Sequence, residues 1–522
     1  MATGTPGTTT SRFERIDTMT DHAAPELAAR AAEQHVVVIG GGTGGLIAAR
    51  ECARVGMRVT LLEAADALGG SIRSVELDGV MIDAGAESFA TRGGHVHALV
   101  AELGLSDQVV APQGGGAWLS GIPDAPDAPL PKGGILGIPA NPFADDVRRI
   151  IGWRGAWRAY VDRLRPPLTI GHERSLGKLV RSRMGARVHD RLVAPVTAGV
   201  YSALPDDVDT EIAAPGLSTA LTRTGSLSGA VATLLAERRG ASAEGKAPGS
   251  AVLGLVGGMG RLVAALHAEL DTYGVEVRTE TRATSLRRDG AGWVVACETT
   301  AEDPDSVDDE ADAVADEALH ATGIVVATPE PAARALLESS VSGLGPAGEA
   351  PEIEIVSLLL DAPALDAAPR GSGVLTVPGS HIAKALTHST AKWGWVRAAA
   401  GDRHVVRVSF GTQGEPAATA ALDDDAAAQL ALTQASALLG IELTPQQLVA
   451  AHRGRFVQAQ PSSLIGAAER RTAARDVVRK IPGLAVVGAW MAGTGLAQVI
   501  PDAVAESDRL RSGLLWGENE RG

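Results

Sequence analysis

Short apolar runs and helical spacings alternate along the chain from His35 onward. His35-Val-Val-Val-Ile-Gly40 is a β-branched run closed by glycine, which predicts a buried strand. Leu46, Ile47, Ala49, Cys52, Ala53 and Val55 follow near helical spacing, predicting a helix over 43–56, and Arg58-Val-Thr-Leu-Leu-Glu63 reads as a second strand. Together they form a strand–helix–strand unit within about 30 residues. Residues 94–200 read as mostly helical, interrupted by a Pro/Gly-rich loop from about Pro112 to Pro142. Over 143–165, Phe143, Val147, Ile150, Ile151, Trp153, Trp157, Tyr160, Val161 and Leu164 stand among arginines, as in an amphipathic basic helix pair. Such a pair is either a domain core with a solvated face or a surface that leans on a membrane. Residues 238–250 read as a Gly/Ala/Ser linker, and an apolar helix is expected through Leu270. Val275–Leu286 and Gly292–Glu298 alternate like an antiparallel hairpin. Residues 301–320 hold nine acidic groups and no Lys or Arg, the pattern of a solvated loop insertion. Gly323–Pro329 predicts another buried strand, 352–360 and 404–410 strands of a second sheet, and Ala418–Leu439 a helix. Leu484–Gly488 reads as a late buried strand before a glycine-rich turn and a last helix from about Leu496. Residues 1–33 are small, polar and Ala-rich, the composition of a disordered tail.

Composition narrows the classes. A chain of 522 residues suggests two or three domains, and 45% hydrophobic with 21% charged residues is ordinary for a soluble globular protein. The formal charge of −15 speaks against a nucleic-acid partner. Two cysteines, Cys52 and Cys297, leave little for a disulfide framework or a thiolate metal site, and no metal is expected. No apolar run reaches the roughly 18 residues of a spanning helix. The expectation is a cytoplasmic protein, with peripheral contact at the inner face of the membrane left open.

The chemistry begins at Gly40-Gly-Gly42-Thr43-Gly44-Gly45, a G-x-G-x-x-G between strand and helix. The first glycine permits the tight turn, the second lets backbone approach a pyrophosphate, and the third lets helix and strand pack closely. The helix N-terminus offers free N–H groups and the positive end of its dipole. Glu63 ends the second strand, where a carboxylate accepts ribose hydroxyls and repels a 2′-phosphate. Next come Gly69-Gly70-Ser-Ile-Arg73 and Gly85-Ala86-Glu87-Ser88-Phe89. With a glycine pair straight after the ribose carboxylate, this order resembles the N-terminal signature of the flavin-containing amine oxidase and protoporphyrinogen oxidase superfamily.

Later segments narrow the resemblance. Pro195-Val-Thr-Ala-Gly199-Val-Tyr201 is similar to a segment of the porphyrinogen oxidases, and Leu255-Val-Gly-Gly258-Met259 to their second cofactor loop. Thr281-Arg-Ala283-Thr-Ser-Leu286 resembles the strand whose backbone meets the adenine ring, and Gly488-Ala-Trp490-Met-Ala-Gly493-Thr-Gly495-Leu496 the C-terminal flavin segment. Lys384-Ala-Leu-Thr387-His-Ser-Thr-Ala-Lys392-Trp393 resembles a stretch of the Gram-positive bacterial coproporphyrinogen III oxidase branch. The sequence departs from the pattern at Ala489, at Asp502-Ala503, at Gly114–Leu119 and at Ala467, departures that weaken a protoporphyrinogen assignment and leave the flavin scaffold intact.

The resemblance implies an α/β fold with a Rossmann-like, discontinuous FAD-binding domain (34–93, 251–331 and 452–522). A helical subdomain (94–200) and an α+β substrate domain (201–250 and 332–451) would be inserted between its parts. It implies noncovalent FAD held by Gly40, Gly42, Thr43, Gly44, Gly45, Glu63, Gly69, Gly70, Arg73, Gly85, Ala86, Glu87, Ser88, Ala283, Gly488, Gly493, Gly495 and Leu496. The implied activity is oxidation of coproporphyrinogen III to coproporphyrin III in haem biosynthesis. A meso-carbon hydride would go to the flavin and dioxygen would be the acceptor, over three rounds and six electrons. The product would pass to the next haem-pathway enzyme. Lys384, Thr387 and Lys392 are the expected substrate residues: the chain has only six lysines against 41 arginines, and two fall here, where cations could pair with propionates. Lys384 and Lys392 could equally be ordinary surface cations. Aromatisation drives the reaction and the cofactor carries it, so no catalytic residue is named. The competing readings are a protoporphyrinogen IX oxidase, a flavin amine oxidase or carotenoid-type desaturase, and a non-enzymatic FAD-binding protein. Amine oxidases usually want an aromatic cage, for which 3 Tyr and 5 Phe supply little material.

Overall fold

The computed structural model describes residues 25–113, 115–165, 173–243, 252–301, 313–348, 351–457 and 463–517. Apolar runs become the centre of a five-stranded parallel sheet, ordered Glu276–Arg278, Arg58–Leu62, His35–Ile39, Gly323–Val326, Leu484–Val486. His35–Ile39 is buried along its whole length, as a parallel strand covered on both faces must be. Its register pairs Val37 with Thr60 on one side and Ile324 on the other. The Thr43–Ala53 helix lies in the core beside it, every residue buried. The Gly260–Thr272 and Leu496–Trp516 helices cover it. Strands from three distant parts of the chain thus close one sheet.

A seven-stranded sheet forms the second body, ordered Leu448–Val457, Glu352–Leu360, His404–Phe410, Ala385–His388, Gly373–Thr376, Ala117–Ser120, Ala128–Pro129. The Asp424–Leu439 helix packs Ala427, Ala431, Leu432 and Leu438 against Val356, Leu386, Val408 and Phe410 on one face of it. Side chains alternate across a strand, so Ile355, Leu375, Ala385, Thr387, Arg407 and Ser409 belong to the opposite face. All but Arg407 are only partly covered there. No helix among the described residues is long and apolar enough to cross a membrane.

Several sequence expectations change. Residues 1–24 lie outside the described part, but 25–32 are helical rather than tail, anchored by buried Ala31. The 238–250 linker shrinks, because the Leu227–Ala243 helix runs through its first six residues; 244–250 lie outside the description. In the acidic stretch, 302–312 are outside the description, and Ala313–Ala321 is a strand paired with Gly292–Ala301 rather than loop. An extended partner edge captures it despite its charge. Glu276–Arg278, expected in the hairpin, is instead the edge of the parallel sheet. The helical subdomain is not bounded at 94 and 200. His95–Glu102 buries Val96, Leu99 and Val100 in the core of the parallel-sheet body, whereas the helical core draws on Leu217, Leu227 and Val231, and on Leu464 and Ala467 far along the chain. Ala117–Ser120 pairs with Gly373–Thr376, so the Pro/Gly-rich stretch supplies a strand of the second sheet.

The basic helix pair forms as expected. Helical residues run Asp145–Tyr160, broken at Gly152, whose φ of 68° and ψ of 172° lie outside the helical region.

Candidate cofactor and substrate site

The glycine turn leaves the first strand at Gly40, whose φ of 107° suits glycine and whose Cβ would stand 2.9 Å from the Ala327 carbonyl oxygen. A Cβ at Gly45 would collide with the Gly40 carbonyl, so helix and strand touch here only because both positions lack side chains. Gly42 caps the helix, which has no side-chain cap and no acidic residue in its first turn. The N–H groups around Thr43 and Gly44 therefore remain available to an anion. Gly70 lies over Gly42, and a Cβ at Gly44 would stand 3.2 Å from the Gly488 backbone, so the early and late segments meet closely here. The second uncapped helix starts at Leu496 after Gly495, just past Gly493. Glu63 directly follows the second strand; its oxygens accept the Gly41 N–H at 2.7 Å and the Ala65 N–H at 2.9 Å, which leaves lone pairs for ribose hydroxyls. Thr328, whose backbone borders Gly40, carries a buried Oγ1 without a protein partner. A bare backbone cradle, two free helix N-termini and a ribose carboxylate fit an extended dinucleotide such as FAD.

The Gly85–Ser88 strip is tied to Ser71, the residue after Gly70. The Ala86 N–H donates to the Ser71 carbonyl at 2.9 Å, and Arg73 beyond it pairs with Asp66. Ala283 sits at a register shift in the Thr281–Asp289 strand and packs against the core cluster that contains Trp490 and Met491.

The strip also meets the second sheet. Glu87 receives Lys392 Nζ at 2.5 Å and Arg407 Nη1 at 2.9 Å. Arg407 Nη2 donates in addition to the carbonyls of Ala84 and Gly85. Burial opposes ionisation of Glu87, but the two cations win and hold its carboxyl down to about 2. Four residues back, burial pushes Asp83 up to about 7, although both its oxygens accept the Met259 N–H of the second glycine loop.

Lys384 and Lys392 are not brought together. Lys384 precedes the Ala385–His388 strand, whereas Lys392 ends the short Ser389–Lys392 helix that follows it. Neither is an open surface cation. Lys392 is bound to Glu87. Lys384 is 7% exposed and donates to Ser202 Oγ at 2.6 Å; burial, with no carboxylate against it, pushes its ammonium down to about 7. Thr387 pairs with Arg407 across the strands on the partly covered face. The Ala194–Tyr201 helix crosses that face, and Gly199 lets it come down on Leu375 and Ala385. Arg407 and Asp83 are absent from the sequence-derived residues. A lone arginine inside the apolar run His404-Val-Val-Arg-Val-Ser-Phe410 was the available signal for Arg407; for Asp83 it was its place directly ahead of the Gly85–Phe89 segment. Four of the chain's few aromatics lie elsewhere. Phe143, Trp153, Trp157 and Tyr160 form one cluster, with Trp153 and Trp157 61% and 58% exposed.

Residues 43–509 match the sequence profile of the flavin-containing amine oxidoreductases. A Mycobacterium tuberculosis protein named coproporphyrinogen III oxidase is 32% identical over 92% of this chain and 96% of its own. One of the same name from Propionibacterium freudenreichii is 28% identical over 95% and 93%. The fold also matches the crystal structure of an Exiguobacterium protein described as a candidate protoporphyrinogen oxidase, with a TM-score of 0.75 and 22% identity over 92% of this chain and 99% of that one.

Proposed function

This chain belongs to the flavin-containing amine oxidoreductase family, and from that premise we propose that it oxidises coproporphyrinogen III to coproporphyrin III with bound FAD, an oxidation of haem biosynthesis. The observation that carries the reading is the correspondence, across almost the whole chain, with relatives named for that reaction. It runs through both cofactor segments and the second sheet.

FAD, when bound, supplies the acceptor for a hydride from a meso carbon of the porphyrinogen. The protein's part is to bind, orient and exclude water. Glu63 and the glycine turn would hold the adenosine and diphosphate, and the strip from Gly85 to Ser88, joined to the cradle through Ser71, would supply further backbone contacts. Beside the helix that packs on Leu375 and Ala385, Ile355 and Thr387 on the same partly covered face would offer a flat macrocycle an apolar contact and a hydroxyl. Lys384 would receive a propionate. An amine kept without an internal counter-ion regains its charge when a carboxylate arrives. Lys392 acts on carboxylates only through its field, being paired already.

FAD is held without a covalent bond in this reading. Cys52 and Cys297 are both buried, and burial raises the Cys52 thiol to about 12, far from a reactive thiolate. Dioxygen is the final acceptor and the product passes to the next enzyme of the pathway. The protein works in the cytoplasm, with the Trp153–Trp157 face resting on the inner surface of the membrane. Leu164, 78% exposed, and Arg148, stacked 4.2 Å over the Trp153 ring, give that face the mixed apolar and cationic character of an interfacial surface. Flotation with vesicles containing anionic lipid should carry the protein, and a Trp153→Ser/Trp157→Ser variant should stay behind; equal flotation of both would remove the membrane from this account. The activity itself is tested by reconstitution with FAD and anaerobic mixing with coproporphyrinogen III. Bleaching of the flavin is expected on mixing, and porphyrin fluorescence once air is admitted, because each reduction takes up only two of the six electrons; an unchanged flavin would refute the reading.

A further inference from the structure

Two histidines meet inside the second sheet. His388 ends the Ala385–His388 strand and His404 opens the His404–Phe410 strand, each 1% exposed. His388 Nε2 lies 3.2 Å from His404 Nδ1, and His404 Nε2 lies 3.1 Å from the Asp366 carboxylate. These contacts assign the protons. Asp366 accepts, so His404 Nε2 carries the hydrogen and its Nδ1 the lone pair, which takes the hydrogen of His388 Nε2. His388 Nδ1 is then a bare acceptor, without a partner among the described residues. Both rings are neutral in this arrangement. A proton added to His388 Nδ1 would be buried with no acceptor. One added to His404 Nδ1 would face three donors: His388 Nε2, Thr390 Oγ1 at 3.4 Å and Arg397 Nη1 at 3.3 Å. The surrounding charges give little relief. Arg397 Nη1 is also 3.4 Å from His404 Nε2, and Asp366, the carboxylate on that ring, has a side chain 69% exposed. Arg403 turns away to Asp78, and Asp83 and Glu87 face Ser389, Trp393 and Val396 from the parallel-sheet body. Burial, the His404 ring and Arg397 hold His388 down to about 4; burial and Arg397 also lower His404, against Asp366.

The couple stands directly ahead of the helices Ser389–Lys392 and Gly394–Ala400. Thr390 and Arg397 of those helices both contact His404, and the same helices bring Lys392 to Glu87. The Lys392 carbonyl also takes the Gln113 N–H at 2.7 Å. We propose that the His388–His404 couple is an acid-sensitive latch: with both rings neutral it pins residues 389–400 to the second sheet, and protonation of either ring frees that segment and its Lys392–Glu87 contact. The latch needs neither cofactor nor substrate and is independent of the function proposed above. Its sign follows from the suppressed protonation. A base held below its unfolded value of 6.5 contributes stability above about pH 6.5 and loses it as the pH falls toward 4.

The experiment measures amide hydrogen exchange of the full chain by mass spectrometry, on peptides covering 389–400 and corrected for the chemical exchange rate. Wild type is compared with His388→Gln, whose amide keeps a donor for His404 and cannot titrate. The open fraction of wild type relative to the variant should rise about tenfold from about pH 7 to about pH 5. Asp83 is common to both proteins and cancels in that ratio, and a merely structural role of His388 would shift the ratio equally at both pH values. A change below about twofold overturns the proposal. Should His388→Gln not fold, deuterium exchange at the imidazole C2 position reports the titration of His388 in wild type. A midpoint below about 6 is expected, and one at or above it overturns the proposal.

Discussion

The cofactor cradle and the seam against the second sheet are built in opposite ways. The cradle is local. Gly40 to Gly45, the helix they start and Glu63 lie within one short stretch, and their function depends on absent side chains and free backbone N–H groups. The seam is assembled from afar: Glu87 and Lys392 are 305 residues apart and function through charge and burial. The contrast teaches where each part is vulnerable. A backbone cradle fails by steric insertion; a charged seam fails when a partner is removed or titrated.

Arg407→Ala attacks the seam most directly. It removes an ion pair with Glu87 and two donors to the Ala84 and Gly85 carbonyls, leaving buried acceptors unmet. A loss of about 3–5 kcal/mol is expected in denaturant unfolding. A loss below about 1 kcal/mol would mean that the seam is no more than packed surface.

Titration of Asp83 tests the same region more gently. Its carboxyl is raised from the unfolded value of 3.8 to about 7, so its contribution to stability is fully present below about pH 4 and disappears as the pH rises toward 7. Between pH 5 and 7 this amounts to about 2 kcal/mol. Asp83→Asn should flatten that slope, and parallel stability profiles for variant and wild type would contradict the assigned burial effect.

The smallest effect belongs to the wall of the cleft. Lys384→Met should raise KM for coproporphyrinogen III about tenfold, a loss of roughly 1.4 kcal/mol, with kcat little changed. An unaltered KM would make Lys384 a purely internal partner of Ser202.

Much of the cradle was legible because its determinants are adjacent in sequence. A strand ending in Gly40, a glycine at the helix contact and a carboxylate after the second strand specify the turn without tertiary information. The seam was not legible for a physical reason. Glu87 and Lys392 each looked available for a ligand, since sequence shows charges but not their pairing across hundreds of residues. Arg407 read only as an interruption of an apolar strand. The acidic segment misled likewise, because the strand Ala313–Ala321 is set by its neighbour Gly292–Ala301 rather than by its own composition. The helix pair at 145–160 was visible from its apolar spacing, with its break left to the backbone of Gly152.

The central claim is that this site oxidises a four-propionate porphyrinogen on bound FAD. It is tested most directly by turnover of coproporphyrinogen III and protoporphyrinogen IX on the same flavin-loaded protein, followed by porphyrin fluorescence. The account predicts a higher kcat/KM for coproporphyrinogen III by about tenfold or more; equal or faster turnover of protoporphyrinogen IX would contradict it.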